Sequence, residues 1–267
     1  ITPMERPGEF GGKTVLSDEE AAQYERDTLS RRDNDRRDEE AGRAPAQVNG
    51  APATADVARA YNQFWWDYGT KVVGTKRTSL VVDPVDGRIP ALTPEGKKRA
   101  DDYADRRARS AVGPEDRSVG ERCIMGFNSG PPMAPSGYNN NVQILQIPGY
   151  VVIFNEMVHN ARIVPMDGRP HGSIPQWVGD SRGRWEGDTL VVDTTNFYGQ
   201  TSLQGSTAKL HLIERFKRVD ADTLVYEFTV DDPTTWTKSW TAEIPMTKLN
   251  DNLYEYACHE GNYGMYG

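Results

Sequence analysis

Long hydrophobic runs are missing from this 267-residue chain: nothing approaches the roughly 20 consecutive apolar residues of a membrane helix, and no membrane insertion is expected. A basic excess is missing too. With 31 Lys+Arg against 39 Asp+Glu the formal charge is −8, which argues against a nucleic-acid partner, because phosphate contacts need a basic surface. Cysteine is scarce, at two residues, Cys123 and Cys258, and neither belongs to a CxxC pair. The four histidines, His159, His171, His211 and His259, lack zinc-site spacing, so no metal site is expected. No phosphate loop, dinucleotide fingerprint or GxSxG elbow occurs, so no cofactor is expected either. What is present in quantity is Gly (25) and Pro (17), with a hydrophobic share of only 37% and a mean hydropathy of −0.69. Helix bundles fit that composition poorly, and a turn-rich protein fits it well.

The chain divides by period. Ser17-Asp18-Glu19-Glu20 is a capping box opening an exposed helix to about Asp38, and residues 41–55 have the small-residue and Pro content of a loop. A second helix is expected through Trp65, with Val57, Tyr61, Phe64, Trp65 and Tyr68 forming an apolar stripe that must bury against something. Arg77–Pro84 is extended, and Thr93-Pro94 starts a third helix running to about Ser110. From Val142 the period becomes two. Segments 142–147, 150–155, 161–164, 184–186, 189–194, 210–219, 223–230, 238–245 and 253–258 alternate between tight turns. Sequential strands of this kind form an antiparallel meander, and the expectation is a mainly β fold. Its form is an up-and-down, lipocalin-like barrel of about eight strands, with a β-sandwich as the alternative. Residues 1–115 read as a helical and extended arm packing on the barrel, and residues 116–267 as the barrel itself.

Four long segments, RTSLVVDPVDGRIP (77–90), WVGDSRGRWEGDTLVVDTTNF (177–197), VDDPTTWT (230–237) and YEYACHEGNYGM (254–265), carry a resemblance. Together with the opening TPMERP (2–7) they make the chain similar to a family of exported, uncharacterised bacterial proteins. That resemblance implies a signal peptide removed upstream of Ile1 and a periplasmic or secreted setting. It implies no reaction. In an exported protein an even pair of cysteines becomes a disulfide, so Cys123 and Cys258 are expected to tie the segment before the barrel to its last strand.

With no cofactor signature, the available chemistry is proton transfer. His159 begins a strand near the barrel mouth, and His211 lies mid-strand. Alternation puts His211, Ile213 and Arg215 on one face and Leu212, Glu214 and Phe216 on the other, so either a His/Arg pair or a lone Glu faces inward. His159 and His211 are the candidate acid/base pair, with Tyr226 as hydroxyl donor and Arg162 or Arg215 holding an anion. Asp180 and Arg182 lie in a Gly-containing loop that either clamps an anionic group or is held as a turn by an Asp–Arg pair; Asp180 and Tyr198 stand as the reserve candidates. Trp65, Tyr68, Trp177, Trp236 and Trp240 are candidate walls for a flat ligand. The leading expectation is a cofactor-independent lyase or isomerase acting on a small aromatic or terpenoid molecule. The rival is a non-enzymatic, lipocalin-like binding protein for a small hydrophobic ligand. A homodimer is left open.

Overall fold

A computed structural model describes residues 1–33, 66–200, 203 and 205–262. The expected helix through Trp65 lies outside these residues, except for Trp66 and Tyr68, which are in non-helical backbone. Helix α1 (Asp18–Arg32) starts at the capping box: Glu20 N donates to Ser17 Oγ at 3.2 Å and Ser17 N donates to Glu20 Oε2 at 2.7 Å. Its acidic first turn and Arg31-Arg32 at the end suit the helix dipole. Helix α2 (Pro94–Arg107) starts where Thr93 Oγ1 accepts from Gly96 N at 2.9 Å, with Pro94 in the first turn.

The strands are β1 (Val81–Asp83), β2 (Val142–Ile147), β3 (Tyr150–Asn155), β4 (Ala161–Pro165), β5 (Asp180–Glu186), β6 (Thr189–Thr195), β7 (His211–Arg218), β8 (Thr223–Asp231) and β9 (Trp240–Thr247). All pairings are antiparallel, in a six-stranded sheet ordered β1-β9-β8-β7-β6-β5 and a three-stranded sheet ordered β2-β3-β4. The mainly β, meandering class is therefore as expected. Among the described residues no ladder joins β4 to β5 or β1 to β2, so two sheets are seen there and no closed barrel is detected. The expected last strand, 253–258, is irregular. β1, from the N-terminal arm, occupies the edge of β9 that a following strand would have needed. Cys123 and Cys258 are bonded, with Cα atoms 5.7 Å apart, and this bridge anchors the irregular C-terminal segment.

One hydrophobic core serves both sheets. Val151, Ile153 and Val164 come from the three-stranded sheet, and Leu190, Val192, Leu212, Phe216, Tyr226, Phe228 and Trp240 from the six-stranded one. Leu80 and Val81 join it from the arm. The interior is filled by its own side chains, with Trp240, Tyr226, Phe197 and Phe228 the largest of those fully buried. One polar cluster is buried among them. Glu214 faces inward and forms a bidentate ion pair with Arg162, whose Nη2 lies 2.9 Å from Glu214 Oε1. Tyr226 Oη donates to the same Oε1 at 2.7 Å and accepts from Met133 N at 3.0 Å. Arg162 on β4 thereby links the small sheet to β7 and β8 of the large one.

Candidate functional site

Residues 166–179 connect β4 to β5 and contain Gly168, Pro170, Gly172, Pro175 and Gly179. A segment so rich in Gly and Pro does not continue as strand, and it runs as irregular chain from β4 to β5, lining the cleft between them with Arg169, Gln176, Val178 and Gly179. It is pinned at several points. Met166 N donates to Gly149 O at 3.0 Å, Gly172 N to Asp180 Oδ2 at 2.6 Å, Arg182 Nε to Pro170 O at 3.0 Å and Asn196 Nδ2 to Gly172 O at 2.5 Å. Gly183 lets the strands approach, because a Cβ there would stand 2.3 Å from Met166 Sδ and 2.9 Å from Val164 Cγ1.

The result is a cleft of about 380 Å³ between β4 and β5. Its apolar walls are Ala161, Ile163, Pro165 and Val178, its neutral polar groups include Gln176 and Ser181, and its charged groups are Arg162, Arg169, Arg182 and Asp180. Each guanidinium is already paired with a carboxylate, Arg162 with Glu214, Arg169 with Asp167 and Arg182 with Asp180, so what the wall offers a small anion is the remaining N–H donors of Arg169 and Arg182 and not a net positive charge. Arg169 lies beside Asp167, holding that carboxyl down to about 2 through their hydrogen bonds.

Behind Asp180 stands a cluster built by strand alternation. Asp193 of β6 and His211 of β7 lie on the outer face, and His171 reaches them from the connecting segment. Asp193 Oδ1 lies 3.0 Å from His171 Nε2, and His211 Nε2 is 3.1 Å from Asp193 Oδ2. An ionised carboxylate can only accept, so each Nε2 carries the proton in this arrangement. That leaves His171 Nδ1 as the acceptor nitrogen of the ring. It is buried, makes no hydrogen bond, and stands 3.4 Å from Asp180 Oδ2. Burial pushes the Asp180 carboxyl up, but the Gly172 amide, the Arg182 guanidinium at 2.5 Å and His171 outweigh it and hold it below the ordinary aspartate range.

The expected site residues separate. His211 is in the cluster, facing outward, so the inward residue of that strand is the lone Glu214. Arg215 is also outward, paired with Glu186 at 2.7 Å and Glu227 at 3.7 Å. His159 is exposed in a turn at φ 38° and does not meet His211 in one cavity. Arg162 does line the cleft, but its guanidinium is neutralised by Glu214. Tyr226 is sealed in the core; burial, then the Glu214 charge, raises its phenol well above the usual range and keeps it a donor. Trp236 and Trp240 are core residues, 5.9 Å apart edge to face, and not cavity walls. Trp177 is half-buried between cleft residues Gln176 and Val178, packed 4.6 Å from Tyr198, with Arg122 5.8 Å above its ring. Tyr68 stacks on Trp66 at 5.1 Å, in a separate cluster with Tyr138, Phe127 and Tyr256. Trp65 lies outside the described residues.

Sequence reasoning gave no role to His171, Asp193, Arg169 or Gln176. The one available signal was Asp193 itself, a lone acid inside the apolar strand Leu190-Val191-Val192-Asp193-Thr194. Comparison of the chain with protein-family models, with curated proteins and with solved structures gives no match in any of the three.

Proposed function

We propose that this chain takes a small organic anion into the cleft between β4 and β5 and acts on it by cofactor-independent acid–base chemistry, as a lyase or isomerase. The observation that carries this reading is the buried, unbonded His171 Nδ1 facing Asp180, a carboxylate in the cleft wall. Arg182 and Arg169 would hold the ligand carboxylate, and Ile163, Val178 and Pro165 its aromatic or terpenoid body. The Asp180–His171 pair would remove the proton next to that carboxylate. Asp193 would then stabilise the imidazolium formed, while Arg182 offsets the developing negative charge. In an elimination the electron pair left by the proton forms the new double bond and an oxygen leaving group departs. In an isomerisation the proton returns to another carbon. A periplasmic or secreted setting belongs to the same reading and is supported by the Cys123–Cys258 bridge.

The test is turnover of carboxylate-bearing aromatic ethers and alkenoates. His171→Ala and Asp180→Asn should each lose on the order of 10²–10⁴ in rate with unchanged circular dichroism, while His159→Ala should keep the wild-type rate. Wild-type rates in both cluster variants would overturn the acid–base assignment. A second reading, a non-enzymatic binding protein, is favoured by one fact: the histidines stand behind Asp180 and do not themselves line the cleft. It predicts saturable binding of such anions without turnover.

A further inference from the structure

Most polar side chains lining the cleft between β4 and β5 are already committed to the chain. Arg162 is paired with Glu214, Arg169 with Asp167 and Arg182 with Asp180. Asp180 also takes the Gly172 amide, and Ser181 Oγ lies 2.9 Å from Thr194 Oγ1. Gln176 is the exception. It lines the cleft and is exposed, and among the described residues its carboxamide has no hydrogen-bond partner. Its backbone, by contrast, is fixed. Gln176 N donates to Asn196 O at 2.9 Å, while Gln176 O accepts from Tyr198 N at 2.7 Å and from Gly179 N at 3.2 Å. These bonds tie the residue to the chain leaving β6, so the free carboxamide extends from an anchored Cα.

Resting on the anion reading of this cleft, we infer that Gln176 is its specificity residue and reads a hydroxyl on the ligand, so that hydroxyl-bearing carboxylic acids are the class the cleft prefers. The remaining N–H groups of Arg169 and Arg182 can only donate, and they meet the ligand carboxylate. A carboxamide donates through Nε2 and accepts through Oε1, and a hydroxyl is the small neutral group that likewise does both. An ether or carbonyl oxygen would use the Nε2 half alone. The other lining side-chain acceptors, Asp180 and Ser181, already hold donors from the chain, so a ligand O–H finds its open acceptor at Gln176 Oε1. A ligand without the hydroxyl strips water from the carboxamide and replaces it with nothing, which costs affinity.

Calorimetric titration of the oxidised chain with benzoate and with each of the three hydroxybenzoate isomers tests this, beside a Gln176→Met chain whose circular dichroism matches the parent. Met keeps the length and flexibility of the side chain without its amide. In the parent, at least one hydroxybenzoate should bind about three- to tenfold tighter than benzoate, the span that one net hydrogen bond gives. In the Gln176→Met chain that ratio should fall to about one. Benzoate binding with no preference for any isomer, or the same preference in the Gln176→Met chain, overturns the inference and leaves the anion reading standing. A parent that binds none of these compounds overturns both.

Discussion

Glu214 is fully buried between Arg162 and the Tyr226 hydroxyl, and its two oxygens take donors from two different sheets. Removing it with Glu214→Ala leaves an uncompensated guanidinium in the core. The expected cost is about 3–5 kcal/mol, checked by denaturant unfolding. Tyr226→Phe removes the acceptor of the Met133 amide and one donor to Glu214 but leaves the ion pair, so its cost should be smaller, about 1–3 kcal/mol. The Tyr226 phenol has a raised pKa in the folded state, so its contribution is full below the unfolded tyrosine pKa of about 10 and is lost as pH rises above it. Asp180 behaves in the opposite sense. Its folded pKa is depressed, so its contribution is present above the unfolded value of about 3.9 and fades as pH falls through the folded value. Asp180→Asn should flatten the acid limb of a stability-against-pH curve, while Tyr226→Phe flattens the alkaline one. Strand alternation reduced β7 to two choices, the His211/Arg215 face inward or Glu214 inward. The choice between them required knowing that Arg162, on another sheet, supplies the counter-charge, and no local pattern contains that.

Among the elements, those set by local chemistry were legible. The capping box at Ser17, the Thr93-Pro94 start of α2, and the boundaries of β2 and β3 follow from short-range hydrogen bonding and from period-two alternation. The stretch 253–258 alternates just as well, yet it is no strand, because alternation says nothing about whether a partner edge is free. β1 had already taken that edge, and the disulfide holds the segment elsewhere. The bridge spans 135 residues. Replacing both cysteines by serine should therefore lower stability by about 2–5 kcal/mol, read from urea unfolding with midpoint and slope fitted together, because the freed denatured chain exposes more surface and steepens the slope. Gly183 is the corresponding device on β5. Gly183→Ala would force Met166 and Val164 apart and should cost about 1–3 kcal/mol. It should also widen the cleft, so ligand affinity falls along with stability.

At the scale of the molecule, the described strands of the meander pack onto one core without a closed hydrogen-bond ladder among them, and one interruption lies where the 166–179 segment enters. A closed barrel would have hidden its ligand inside. Here the inside is filled by Trp240, Tyr226 and Phe228, and the open space lies between the sheets, walled by arginines. The antiparallel plan was readable from turns and alternation. The cleft was not, because it depends on two strand edges failing to pair, which is a property of the connection and not of either strand. The most direct measurement is a titration of the 15N-labelled chain with benzoate and, separately, with benzamide, which has the same shape without the charge. Saturable shifts of the Gly172, Gly179 and Ser181 amides with benzoate, and none with benzamide, are the predicted result. Shifts confined to the Phe127–Tyr138 aromatic cluster, equal responses to both compounds, or no response to either would contradict an anion site in this cleft.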